Sequence, residues 1–143
     1  MLKTILKKIS PKHLIQIKKM NLSSKVQYFL EIQSQFKILH WQTKGYARHN
    51  AFGSIYGTLD GLIDNFIEIS MGKFGRFVLE EGDKSLNLDN LQDVNIVQFL
   101  QEIKGFIISL TKELDPESDT DLLNLKDEML GEINKLAYLL TLE

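Results

Sequence analysis

An all-α fold of four long helices, with a long crossover between the second and third, is what this sequence predicts. Three observations predict it. Apolar residues recur every three to four positions through four separate stretches, the period of a helix with one buried face. Only two prolines occur, Pro11 and Pro116, and both stand between periodic stretches rather than inside them. The composition, rich in Leu, Ile, Lys and Gln, favours helix over strand. At 143 residues the chain is sized for one domain with one core.

The elements follow in order. Residues 1–22 read as a basic amphipathic arm, in which Leu2, Ile5, Leu6 and Ile9 fall at helical spacing. The helical domain then covers 23–143. A first helix is expected to start at Ser23 or Ser24, either of which can cap it. Val26, Phe29, Leu30, Phe36 and Leu39 mark its apolar stripe, and Gly45 is expected to stop it. A second helix is predicted over 48–73, with Phe52, Ile55, Tyr56, Leu59, Leu62, Ile63 and Phe66 on one face. The segment GRFVLEEGDKSLNLDNLQD after Phe74 is the crossover. A third helix is predicted over 95–114, turning Val97, Leu100, Ile103, Ile107 and Leu110 inward, and Asp115-Pro116 ends it. The fourth begins within 118–121, where Ser118, Asp119, Thr120 and Asp121 are all good capping types, and carries Leu122, Leu125, Met129, Ile133, Leu136 and Leu140.

Composition also excludes whole classes of chemistry. With no cysteine there is no disulfide, no thiolate nucleophile and no sulfur-ligated zinc or iron–sulfur centre, a composition that fits a cytoplasmic setting. No apolar run approaches the roughly 20 residues that span a membrane, and lysines interrupt each stretch that might serve as a secretory signal. No G-x-S-x-G, phosphate-binding loop or dinucleotide fingerprint is present. The formal charge of −2 hides an asymmetry. Residues 1–25 carry seven lysines and no acid, leaving ten basic against nineteen acidic residues from Val26 onward.

The stretch that carries chemistry is His40-Trp41-Gln-Thr-Lys-Gly45-Tyr-Ala-Arg-His49, continuing through Phe52, Gly53 and Tyr56 to Asp64 and Glu68. Two histidines flank one interhelical turn. Asp64 and Glu68, four residues apart, are neighbours on one helix face. Two imidazoles and two carboxylates suit Fe(II), Mn(II) or Zn(II). The alternative for each alone is plainer: His40 as a helix-end histidine, Asp64 and Glu68 as a solvated helix face. Asp60, Glu128 and Glu132 read as surface charges, and no Glu-x-x-His occurs for a di-iron site inside the bundle. Distance limits the joint reading. Fifteen helical residues separate His49 from Asp64, about 22 Å along the axis, whereas metal–ligand bonds are about 2 Å. Asp64 and Glu68 also lie about 140° and 180° around the helix from Leu59, away from the core. A two-fold dimer would bring the histidines of one copy to the carboxylates of another and make two equivalent sites.

This pattern resembles the ferritin-like mini-ferritins of the Dps type. Their pattern runs H-W-x-x-x-G, a second His, then Phe at three, Tyr at seven, Asp at fifteen and Glu at nineteen residues on. The resemblance implies a ferritin-like four-helix bundle with its crossover between the second and third helices. It implies His40, His49, Asp64 and Glu68 as ligands of a ferroxidase site shared across a dimer, with Trp41 close by. Such proteins bind Fe(II), oxidise it with peroxide or oxygen, and store ferric mineral in a hollow dodecamer. Several bind DNA through a lysine-rich arm, a role that would fall here to Lys3, Lys7, Lys8, Lys12, Lys18 and Lys19, although the same arm also suits packing on the bundle or on a neighbouring subunit. Two departures stand out. The segment between the histidines is three residues shorter than in typical members, and Gly53 stands where many place another acidic ligand. The run H-x-Q-T-K-x-Y-A-x-H is similar as well to a group of phage and large-virus proteins. That second resemblance implies no particular activity. The rival reading, from a different class, is a non-catalytic structural or virion-associated bundle in which the same four residues make interface hydrogen bonds.

Overall fold

A computed structural model of the chain describes residues 20–142. The arm lysines and the DNA contact read for them lie outside the described residues. Within them run four helices and no strand: α1 (Leu22–Gln42), α2 (Tyr46–Phe74), α3 (Ile96–Ser109) and α4 (Thr120–Leu139). A 3-10 turn (Leu110–Glu113) prolongs α3, and two more (Glu81–Asp83 and Leu91–Asp93) interrupt the crossover. Among the described residues no helix is long and apolar enough to cross a membrane.

The boundaries follow the expected order, with one cap and one glycine reassigned. Neither Ser23 nor Ser24 caps α1; both lie inside it, and its N-cap is Asn21. Gly45 does not stop α1; it is the N-cap of α2, at φ −84° and ψ 133°. The connection through Thr43, Lys44 and Gly45 is extended, so it needs no left-handed residue and α2 starts two residues earlier than read. The glycine stop is Gly75. Its φ of 97° suits a residue without Cβ, and its N–H caps the Met71 carbonyl at 2.9 Å. At the start of α3, the Asn95 side chain accepts from the Gln98 N–H. Asp119 occupies the N-cap of α4 without capping it; its carboxylate accepts from the Asp115 N–H and from Lys73 Nζ instead.

Most of the predicted stripes are buried and form one core. Leu30 and Val97 are corrections, at 45% and 69% exposed. Each stands one residue beyond an inward-packing position, the buried Phe29 or the partly buried Ile96, and one residue turns a helix by about 100°, enough to leave the stripe. Aromatic rings fix the register of α1 against α3. Phe29 meets Phe106 at 5.2 Å and Phe36 meets Phe99 at 5.3 Å, so the two helices run antiparallel. Phe29 also packs edge-on to Phe66 of α2 at 5.7 Å.

Helix α2 lies beside α1 and α4, and α3 beside α4 and α1. The chain must therefore cross diagonally from α2 to α3, and the crossover does so along an edge of α1. Ser23 accepts from the Glu80 N–H and donates to Asp83. Gln27 donates to the Ser85 carbonyl, and Glu31 accepts from the Asn87 N–H. Gln35 holds both the N–H and the carbonyl of Asp89, and Gln42 accepts from the Leu91 N–H. Four helical residues rise about 6 Å, and two extended residues about 6.6 Å. A polar side chain at every fourth helix position thus meets alternate residues of an extended strap. Ser23, Gln27, Glu31 and Gln35 have that spacing.

The far end of α2 is tied to α4. Lys73 reaches Asp119 at 3.3 Å and Asp121 at 3.0 Å, a cation in the last turn of one helix facing acids in the first turn of another. Burial works against the charge on Asp121, but the hydrogen bond and charge of Lys73 together with the Leu122 N–H outweigh it and hold the carboxyl below its ordinary value. The same partners raise Lys73 against its own burial cost.

Candidate metal centre

The short turn after α1 places its last-turn His40 opposite His49 in the first turn of α2. Their rings stack, with centroids 3.9 Å apart and planes 21° from parallel. The stack is held reciprocally: His40 Nδ1 lies 2.7 Å from the His49 carbonyl oxygen, and His49 Nδ1 lies 2.9 Å from that of His40. A carbonyl oxygen only accepts, so each Nδ1 must donate. In the neutral ring that assignment leaves the lone pair on Nε2. The bonds also satisfy the helices, because the His40 carbonyl falls in the last turn of α1, where no intrahelical N–H follows.

Gly53, one turn along α2, makes room for this arrangement. A Cβ at that position would stand 2.8 Å from His40 Cε1 and 2.9 Å from its Nδ1. The missing acid at 53 therefore has a steric reason here: the ring of His40 occupies its space. Sequence alone could not find this, because glycine carries no chemistry of its own to read.

Trp41, expected to pack near the site, is 66% exposed. Lys37 covers part of it, with Nζ 5.3 Å from the Trp41 ring and 4.6 Å from that of Tyr56. From there a groove of about 330 Å³ runs between α1 and α2 past Ile38, Leu30, Gln33 and Asp60. A second of similar volume continues past Ile63 and Asp64 to Ile67 and Phe77. Gln33 donates to Asp60 across it at 3.0 Å. Asp64 and Glu68 are exposed. They make no hydrogen bond or ion pair among the described residues.

Helix length keeps the four candidate ligands in two places. Among the described residues, no three His, Cys, Asp or Glu side chains come together to hold a metal ion. Nor do the stacked rings form a chelate. A metal bound by imidazole lies near the ring plane, and 3.9 Å divided by the tangent of 21° puts the meeting of these planes roughly 10 Å away, against about 2 Å for a metal–nitrogen bond. The donor types fit a transition metal. The stacked rotamers do not let both rings share one.

Comparison with known proteins adds two findings. A family of unknown function (DUF5856) matches residues 40–140, from His40 into the end of α4. An uncharacterized 14.6 kDa protein from the mobD-ri intergenic region of Enterobacteria phage T4 is 30% identical over 111 residues, which cover 78% of this chain and 80% of the phage protein. No solved structure matches.

Proposed function

The chain belongs to the DUF5856 family, and we propose that it is a Dps-like, ferritin-like subunit that binds Fe(II) at sites shared between two copies. His40 and His49 would come from one copy, Asp64 and Glu68 from the other. The observation that carries this reading is the pair of Nδ1–carbonyl bonds. Metal-binding histidines almost always donate the other ring N–H to a carbonyl or carboxylate, which fixes the tautomer and strengthens the ligand nitrogen. One imidazole can keep that preparation when an ion arrives, while the other has to leave the stack to join it. The diagonal α2–α3 crossover, the connection of ferritin-like bundles, supports the same reading.

A two-fold partner supplies what one chain lacks. Asp64 and Glu68 stand about 22 Å and 28 Å along α2 from His49, on the exposed face that also carries the apolar grooves. A second copy laid antiparallel on that face would set Lys37 against the partner's acidic stretch, a self-complementary arrangement. Iron is the substrate of this site. The carboxylates would offset the charge that rises as Fe(II) loses its electron, and one peroxide would accept electrons from two ferrous ions. The ring of His40 fills the space at Gly53 where a further acidic ligand would stand, so each site holds one ion.

Anaerobic Fe(II) titration followed by peroxide, on wild type and His49→Ala, tests the proposal. Saturable binding that the substitution abolishes is the expected result, with sedimentation equilibrium showing at least a dimer. A strict monomer with no saturable binding would sink it. The second reading is a structural or virion-associated bundle in which the stack is only a clasp between α1 and α2. The phage relative favours it, as do the two reciprocal Nδ1–carbonyl bonds, which by themselves join α1 to α2. Under that reading, His49→Ala lowers stability and changes nothing else.

A further inference from the structure

We infer that the His40–His49 stack is a latch over the metal site and that Gly53 is the residue that lets it close. The inference rests on the metal-binding reading above and concerns how that site is regulated. Closed, the rings are locked by two carbonyl bonds and aligned so that no single ion can lie in both planes at bonding distance. For both imidazoles to ligate one ion, one ring has to turn and give up its bond to the backbone. His40 is the ring with a close neighbour on α2. It rests against Gly53, where a Cβ would come within 2.8 Å of Cε1.

Gly53→Ala should therefore prop the latch open. The displaced atoms belong to the end of a side chain with two torsions, so the ring can swing away without moving backbone. The helix itself gains, since alanine is the better helix former and Gly53 has no positive φ. Wild type must break a hydrogen bond and a stacking contact to load metal, and the variant has broken them already. Its affinity should be higher by the worth of about one such bond, roughly fivefold. Gly53 is thus a positioning residue that acts through His40.

Zn(II), which is redox-silent and accepts imidazole ligands, is the probe. The full chain is titrated calorimetrically, and the histidine ring protons are followed by NMR, where stacking shows as ring-current shifts. Wild type should show those shifts without metal and lose them at saturation. Gly53→Ala should lack them from the start and bind about fivefold tighter. Shifts that persist in zinc-saturated wild type would overturn the latch and leave metal binding standing. Zinc binding to neither protein would overturn both. The wild-type titration decides the matter even if the variant folds poorly.

Discussion

The two ends of α2 each take part in a pair of candidate ligands, and the pairs are held in opposite ways. At the N-terminal end the imidazoles of His40 and His49 are fixed by backbone carbonyls, and Phe52 in the next turn is fully buried against Phe36. Toward the other end, Asp64 and Glu68 stand in solvent with no polar partner among the described residues. The histidines have work to do inside one chain, joining α1 to α2. The carboxylates have none there. An intrachain account therefore covers half of the motif, and the acidic half finds its reason only in something that approaches the α1–α2 face.

Six substitutions can break or sharpen this contrast. Phe52→Ala should be the most damaging, at about 3–5 kcal/mol in denaturant unfolding; a loss no larger than a surface change would mean the histidine end is not anchored in the core. His40→Ala removes one Nδ1 donor and the ring stack and leaves the His49 carbonyl without its side-chain partner, for about 1–3 kcal/mol. Because the bonds are reciprocal, adding His49→Ala should cost well under the sum of the two single changes, and strict additivity would show the clasp to be two independent contacts.

The carboxyl of Asp121 titrates lower in the folded chain, so its contribution is present above the ordinary carboxylate value of about 3.9 and is lost as pH falls through the folded value. Asp121→Asn should flatten the acid limb of the stability profile by less than about 1 kcal/mol, since the group is largely solvated. An unchanged acid limb would remove Lys73 and Asp121 as an anchor. Smallest in stability are Asp64→Asn and Glu68→Gln, within about 0.5 kcal/mol, while Fe(II) binding should vanish. Either one unfolding the chain would erase the contrast altogether.

Much of this molecule could be read before any coordinates. Four stripes gave four helices, because a 3.6-residue period survives whatever packs against it. Leu30 and Val97 misled because an apolar residue one step from a stripe differs from a core residue only in angle. Gly45 misled because an extended three-residue turn uses glycine as readily at the start of a helix as at the end. The histidine pair was visible as composition and its stacking was not, since ring orientation depends on which carbonyls lie within reach. The strap had a signal that went unread: Ser23, Gln27, Glu31 and Gln35 form a polar row too regular for a merely solvated face.

That row has a consequence for the order of events during folding. Its bonds join residues 54 to 60 positions apart, whereas α1 and α2 are joined by three residues. Long loops close late, because the entropy they surrender rises with length and is recovered only after the ends meet. The first hairpin can thus pair while the polar row still faces water, and laying the strap is a finishing step. On the way out the sequence reverses: the strap is the part best placed to lift while the aromatic core beneath it stays shut.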